Sequence, residues 1–512
     1  MSKTFYITTP LYYVNASPHI GHSYTQIVCD CIARYKRLKG EKVFFLTGTD
    51  EHGQKVYRSA EKAGKETQEF IDGVVGRFKK LWKRLNISYD DFIRTTEPRH
   101  VQAVQKAIKI LYDKGDIYED TYSGYYCTPC ETFWQKDELK NGLCPDCERP
   151  VEYISEKNYF FRLSKYQNWL SKYIDSHPDF IKPDFRRNEV LGFLKQPLSD
   201  LCISRPRKRL SWGIGMPFSP EYVIYVWIDA LLNYISAPGF ADNPDRFKKI
   251  WPADIHIMAK DILRFHAVYW PIILHALELK LKPPRCIFAH GWWVISGQKI
   301  SKSKGVIIDP NPIIEKYGAD ALRYFLLREV TLGLDGNFSE GALIDRYNAD
   351  LANDLGNLLN RTLTMVYKYF NGKITSRGHI TGKETFLLNL RESTVAEVDG
   401  CMKDLLISRA LKEIWRLINA ANKYIEDSKP WEIAKGGDTE RLSAFILTLL
   451  RVLEAVMVLI YPFMPSTSEK IASQLGIKED ILSVGKAVLK KKFIIGIGHL
   501  VSKPQPLFPR IK

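Results

Sequence analysis

A chain of 512 residues has room for about two to four domains. With 45% apolar and 26% charged residues it is not collagen-like, disulfide-dense or mainly disordered. The net charge of +16 suits a polyanionic partner, although it also serves plain solubility, so charge alone favours nucleic acid only slightly.

In chain order, residues 4–9 read as a buried strand. No charged-then-apolar signal segment and no Arg-rich transit segment precedes it, so the cytoplasm is the expected compartment. Residues 20–39 read as a helix, 43–46 as a second strand and 103–112 as a later helix. This alternation implies a parallel sheet with right-handed crossovers, a nucleotide-binding architecture when Gly and polar groups sit at strand ends. Residues 116–150, rich in aromatics and paired cysteines, interrupt the pattern. It resumes near 222–228, with 255–259 and 286–290 as further strands. From about Leu343 the chain reads as helical, with Leu405, Leu406, Ile414, Leu417, Ile418, Tyr424 and Ile425 at helical spacing. The apolar stretch 442–461 is long enough to span a bilayer. Arg451 and Glu454 near its middle favour a buried bundle helix, and no membrane partner is expected.

Three constellations carry chemistry. His19 and His22 stand three apart at a helix start, with Gly21 leaving the backbone open between them. Such an N-terminus suits a phosphate, although four residues alone also fit a plain helix start. Lys299, Lys302 and Lys304, spaced by small residues between Gly297 and Gly305, form a cationic loop able to close over a triphosphate; a solvated basic run is the commoner reading of so short a stretch. Cys127-x-x-Cys130 and Cys144-x-x-Cys147 are two knuckles that converge on a tetrahedral Zn²⁺ with four thiolates. No open position remains for catalysis, so the metal is structural, one per chain. Disulfides are the alternative, without a secretory signal to support them. Cys29, Cys31, Cys202, Cys286 and Cys401 lack ligand spacing and read as small buried apolar groups.

The first two constellations together, His19-Ile20-Gly21-His22 and Lys299-Ile300-Ser301-Lys302-Ser303, resemble the signatures of class I aminoacyl-tRNA synthetases. Flanking residues narrow the resemblance to the bacterial methionyl-tRNA synthetases: Thr9-Pro10-Leu11-Tyr12-Tyr13-Val14-Asn15, Gly48-Thr49-Asp50-Glu51-His52-Gly53, Tyr225-Val226-Trp227-Ile228-Asp229-Ala230, and Lys260-Asp261-Ile262 with Phe265-His266. The likeness continues through residues 348–361 and Lys429-Pro430-Trp431 to Pro506-Leu507-Phe508-Pro509-Arg510.

The resemblance implies an α/β Rossmann-type catalytic domain with a zinc-bearing insertion, followed by an all-α anticodon-binding bundle. The expected divisions are a first Rossmann half (1–115), the insertion (116–221), a second Rossmann half (222–295), a lysine-loop and stem-contact segment (296–345) and the anticodon domain (346–512). It implies that His19, Gly21, His22 and Lys302 meet ATP, with Lys299 supporting Lys302 at the departing pyrophosphate. Mg²⁺ would accompany ATP, with no dedicated protein ligand legible. Asp50 would meet the ammonium of L-methionine. Leu11, Tyr13, Trp227, Ala230, Tyr234, Ile262, Phe265 and His266 would form the side-chain pocket, whereas composition alone makes Trp227 and Phe265 plain core aromatics. Aromatic walls suit a thioether. The family often carries a zinc knuckle in this insertion. Some members carry two; this chain has cysteines for one.

Asn353, Asn357 and Arg361 lie at i, i+4 and i+8, one stripe of one helix, and Trp431 follows Pro430 at a helix start. Both features also fit a solvated stripe and a core indole. The resemblance makes them the anticodon readers of tRNA(Met), initiator included. The dense run Arg205-Pro206-Arg207-Lys208-Arg209 has no implied role; a solvated loop is the expectation, contact with the tRNA acceptor end the alternative. No dimerising oligonucleotide-binding barrel follows the bundle, so a monomer is expected. A small-molecule nucleotidyltransferase would share the histidine motif without needing the basic helical part.

Overall fold

Short apolar runs that end in polar residues become the strands of a parallel sheet, because their polar ends fall at the carboxyl edge where ligands bind. In the computed structural model, which describes residues 3–128, 130, 132–278, 281–295, 298–299 and 308–511, these strands are β1 (Phe5–Thr8), β2 (Tyr12–Tyr13), β3 (Val43–Asp50) and β4 (Asp91–Arg94). After them come β5 (Ile117–Cys127), β6 (Thr132–Trp134), β7 (Glu152–Phe161), β8 (Ile181–Lys182), β9 (Leu201–Cys202), β10 (Ser204–Pro206), β11 (Gly215–Met216) and β12 (Ser219–Ile224). The last are β13 (Ile255–Ala259), β14 (Ile287–His290), β15 (Trp293–Ile295), β16 (Gln298–Lys299) and β17 (Gly336–Asn337).

The chain divides into two compact units. One comprises Met1–Pro18, Phe44–Lys80 and Tyr89–His290; the other comprises His19–Val43, Leu81–Ser88 and Gly291–Lys512. Residues 19–43 and 81–88, read from sequence as part of the first Rossmann half, therefore group with the C-terminal part of the chain.

The first unit holds a seven-stranded sheet in the order β2-β3-β1-β13-β14-β8, with β4 also on β3. Its recorded pairs are parallel, for example Ile7 with Ile255, Met258 with Ala289 and Ile287 with Ile181. β3 runs four residues past the expected strand, because Thr47 and Thr49 are polar yet wholly buried. Gly48 is required there: a Cβ would lie 2.0 Å from the Ile93 carbonyl oxygen on the neighbouring strand. The helix expected at 103–112 spans Pro98–Asp113, with Pro at its first turn.

Two expectations are corrected. The run 222–228, read as a strand resuming the parallel alternation, splits into the end of β12 and the helix Val226–Leu231. β12 pairs antiparallel with β10 and β11. A short apolar run does not distinguish strand from helix by periodicity, and this one contains both. Conversely β8, inside the segment 116–221 read as insertion, belongs to the parallel sheet through β14. The same segment also holds the antiparallel sheet β6-β5-β7-β9, whose long ladder runs from Ile117 opposite Phe161 to Tyr126 opposite Glu152.

The second unit begins with α1 (Ile20–Leu38), against the expected 20–39, and holds the small sheet β16-β15-β17. Its helices include α2 (Ala319–Arg328), α3 (Asn357–Phe370), α4 (Gly382–Lys403), α5 (Ile407–Ser428), α6 (Pro430–Lys435) and α7 (Thr439–Ile460). Among the described residues α7 alone is long and apolar enough to cross a membrane, and 94% of its apolar window is buried inside the fold, as the bundle reading expects.

Candidate functional site

In the first unit, the helix Val226–Leu231, the turn Asn233–Ser236 and a π-helical turn Phe265–Tyr269 carry a cluster of aromatic side chains. Such π turns recur at functional sites. The Trp227 and Phe265 rings stack with centroids 3.7 Å apart and planes within 8°. Tyr234, 1% exposed, donates its hydroxyl to His266 Nε2 at 2.8 Å, and His266 Nδ1 donates to the Ile262 carbonyl at 2.9 Å. Burial lowers the His266 pKa to about 4, against a smaller opposing effect of the Ile262 carbonyl. The ring is therefore a neutral wall. Leu11, Tyr13, Trp227 and Ile262 pack half-buried against the same core as Tyr234, and Ala230 is buried beside them in sequence. The structure thus gathers the sequence-derived pocket residues on neighbouring elements of one unit.

The turn ending β3 is held from several sides. Asp50 pairs in register with Tyr13 and is largely buried. Glu51 accepts from Thr49 (2.6 Å), Arg94 (2.7 Å) and Thr96 (2.6 Å), and its carbonyl accepts from the Trp212 indole at 2.7 Å. His52 Nδ1 meets Asp229 Oδ2 at 2.7 Å, and His100 Nε2 meets Asp229 Oδ1 at 2.7 Å. Burial pushes the Asp229 pKa up, but the two histidines outweigh it, and the carboxyl is held below its usual range.

The four knuckle cysteines have their Sγ atoms within 4.8 Å of one another. Cys127 to Cys147 is 3.5 Å and Cys130 to Cys144 is 3.8 Å. Tetrahedral Zn–S bonds of about 2.3 Å place sulfurs about 3.8 Å apart, so the donor set fits zinc. All four are free thiols here, so the disulfide alternative is not the one adopted. Cys127 and Cys144 are buried against Trp134, and Cys144 N donates to the Arg149 carbonyl at 2.9 Å to close the second knuckle. Of the other cysteines, Cys29, Cys31, Cys202 and Cys401 are buried and Cys286 is half-buried.

In the second unit, His19 caps α1. Its Nδ1 accepts from Gly21 N at 3.1 Å, while His22 Nδ1 accepts from His19 N at 3.2 Å, and the two rings stack at 3.8 Å. An Nδ1 that accepts a backbone N–H leaves the ring proton of each neutral imidazole on Nε2, so each presents a donor. Lys299 falls in β16. Lys302 and the rest of the lysine loop, 300–307, lie outside the described residues.

The expected one-helix stripe is built differently. Asn353 belongs to a π-helical segment, Tyr347–Gly356, and Asn357 opens α3. Hydrogen bonding i→i+5 in that segment changes its angular step. Even so, Asn353 and Asn357 are exposed and Arg361 is half-exposed, its guanidinium 3.5 Å from Glu426. Trp431 is 44% exposed on α6, which disposes of the core-indole alternative.

Comparison with known proteins agrees with this geometry. A family model described as tRNA synthetases class I (M) matches residues 5–153 and 147–363, and one for the anticodon-binding domain of tRNA ligase matches 384–494. The chain is 50% identical over 516 residues to a methionine–tRNA ligase of Caldanaerobacter subterraneus subsp. tengcongensis, covering 100% of this chain and 79% of that protein. It is 48% identical over 511 residues to one from Thermotoga maritima, covering 99% and 80%. The chain belongs to the class I methionyl-tRNA synthetases. A solved structure of Mycobacterium tuberculosis methionyl-tRNA synthetase in complex with methionyl-adenylate matches with a TM-score of 0.94 at 40% identity, over 99% of this chain and 100% of that one.

In this chain the basic run 205–209 is only partly the solvated loop expected of it. Arg205 is 4% exposed, with its guanidinium over the rings of Tyr126 (5.3 Å) and Tyr225 (4.6 Å) and Nη1 donating to the Ser204 carbonyl at 2.6 Å. Arg209 covers Tyr126 at 4.6 Å. Desolvated cation–π contacts draw both inward, while Arg207 and Lys208 stay exposed. Asp229 and His52 lie within the motifs that carry the resemblance without an implied part, and His100 lies in none of them. No local signal marks His100, a single histidine on a helix whose partner lies 129 positions away.

Proposed function

We propose that this chain, a methionine–tRNA ligase by family, divides the two steps of its reaction among the residues described. The methionine carboxylate attacks the α-phosphorus of ATP and pyrophosphate leaves; a ribose hydroxyl at the 3′ end of tRNA(Met) then attacks the adenylate carbonyl and releases AMP. The observation that carries the reading is the Trp227–Phe265 stack together with the neutral Tyr234–His266 pair, an aromatic cluster on neighbouring turns. A neutral, polarizable wall suits a thioether and gives a charged side chain no partner. Asp50 takes the substrate ammonium, with Leu11, Tyr13, Ala230 and Ile262 completing the apolar lining. The Nε2–H groups of His19 and His22, at the positive end of α1, meet phosphate oxygens whose charge grows in the transition state. Lys302, supported by Lys299, neutralises the leaving pyrophosphate. Mg²⁺ arrives with ATP, since hard phosphate oxygens favour it.

Cys127, Cys130, Cys144 and Cys147 hold one structural zinc. Asn353, Asn357 and Arg361 read base edges of the anticodon CAU, and Trp431 offers a stacking face. Initiator tRNA carries the same anticodon and is a substrate as well. These substrates and thiolate ligands fit the cytoplasm. The first test is ATP–pyrophosphate exchange with each of the twenty amino acids, without tRNA. Exchange with methionine alone supports the assignment; exchange with none, in zinc-replete protein, overturns it.

A further inference from the structure

One buried carboxylate in the first unit has no part in the reaction as assigned. Asp229 shows no accessible surface, so it does not meet substrate, yet both its oxygens are engaged. His52, two residues beyond Asp50, reaches Oδ2 at 2.7 Å, and His100, also without accessible surface, reaches Oδ1 at 2.7 Å. The second ring nitrogen of His100 lies 3.1 Å from Ser236 Oγ, on the same short helical turn as Tyr234. Asp229 itself stands between Trp227 and Ala230 on the helix Val226–Leu231. A single carboxylate thus ties the Asp50 turn, the pocket helix and the helix Pro98–Asp113 together. The His52 ring packs against Trp212 at 5.8 Å, and the Trp212 indole donates to the Glu51 carbonyl, so Trp212 braces the turn at both residues that follow Asp50.

Apolar residues of the same volume would pack three elements equally well, and burying a carboxylate is costly unless its partners are well placed. What the carboxylate adds is direction, through two short charge-assisted hydrogen bonds of fixed geometry. We infer that Asp229, held between His52 and His100, is a positioning residue that orients the Asp50 carboxylate toward the methionine ammonium against the wall formed by Trp227 and Ala230. This inference rests on the assignment of Asp50 to that ammonium. It concerns a specificity step, since the ammonium separates an amino acid from other thioether acids.

The test uses the full chain and two competitors of methionine in ATP–pyrophosphate exchange. One is methioninol, which keeps the ammonium; the other is its deamino analogue, the same thioether alcohol without it. The ratio of their inhibition constants reads the ammonium contact alone. H52A lowers this ratio by about tenfold, the weight of one misaligned charged hydrogen bond, while the KM for ATP stays unchanged. H52N restores it, because the Asn amide places a donor where Nδ1–H stood. Should H52A fail to fold, D229N, which keeps the shape and loses the charge, is read in the same way. An unchanged ratio in the folded variant overturns the proposal. D50N separates the two readings. If D50N collapses the ratio and H52A does not, the positioning role falls and the Asp50 assignment stands. If D50N also leaves it unchanged, both fall.

Discussion

Tyr234 and His266 share one hydrogen bond of 2.8 Å, with the hydroxyl donating to Nε2, and the Nδ1–H of the same ring is committed to the Ile262 carbonyl. Protonating Nε2 would force the Tyr234 hydroxyl to turn its own proton away, and burial lowers the ring's pKa to about 4. In the unfolded chain an ordinary histidine takes up its proton below about pH 6.5. Between those values the unfolded state binds more protons, so this group makes stability rise with pH and acidification lowers it. Wild-type protein should lose about 2 kcal/mol more than H266N between about pH 7 and pH 5, read from urea midpoints. Parallel pH profiles for the two proteins would refute a neutral buried ring.

The knuckle geometry makes a prediction about metal content. Four sulfurs spaced for one tetrahedral ion should bind about one zinc per chain. Replacing Cys144, buried beside Trp134, should reduce zinc to background and expose the remaining thiols to a thiol reagent. Ejecting the metal from the intact protein with a chelator should unmask about four extra reactive thiols. A C144A protein that retains full zinc would show that the ion is held elsewhere.

Trp431 is 44% exposed on a helix of six residues, and Arg361 is balanced by Glu426 in a solvent-facing pair. Stacking a base on an exposed indole contributes about 1–3 kcal/mol. W431A should therefore raise the KM for tRNA(Met) by about five- to a hundredfold and leave methionine activation without tRNA untouched. R361A should act in the same direction, with reduced discrimination against tRNAs whose anticodon differs from CAU. Equal losses in both reactions would mean that Trp431 supports the fold instead.

How much of this was legible in sequence depended on whether the signal was local. The cysteine knuckles, the histidine motif and the exposed Trp431 after Pro430 each carry their geometry within a few residues. The runs 4–9, 255–259 and 286–290 read as strands and become β1, β13 and β14, whereas β2, β4 and β8 hold too short an apolar run to carry such a signal, and β3 outruns the run 43–46 because Thr47 and Thr49 are polar yet buried. The run 222–228 reads as one strand because a single apolar stretch carries no sign that it turns from strand to helix at Tyr225. The π-helical segment under Asn353 leaves no trace in composition. Least legible were contacts whose partners are far apart in the chain, such as His100 with Asp229. Neither residue announces the other, and only the fold sets one ring against the other's carboxylate.

The same holds in the second unit for Arg323 and Asp30, both without accessible surface and 2.7 Å apart. Arg323 also donates to the carbonyls of Phe463 (2.8 Å), Pro462 (2.9 Å) and Leu85 (3.2 Å). Asp30 takes Arg34 Nε at 2.8 Å and the Ser88 amide and hydroxyl at 2.7 and 2.6 Å. Burial raises the Asp30 pKa, but the two guanidinium groups and Ser88 outweigh it, and the carboxyl is held low. Its contribution to stability is therefore present above the ordinary carboxyl range and disappears as pH falls through the folded value. Removing one partner leaves a buried charge poorly compensated, so R323A should lose about 3–5 kcal/mol of stability near neutral pH. R323M, which refills most of the volume, should recover the packing part only. Because Asp30 sits on the helix that His19 caps, the loss should also slow methionine activation by displacing α1. A loss below about 1 kcal/mol in R323A would place this pair with surface ion pairs, which contribute little, and would leave the packing of α2 to its apolar residues.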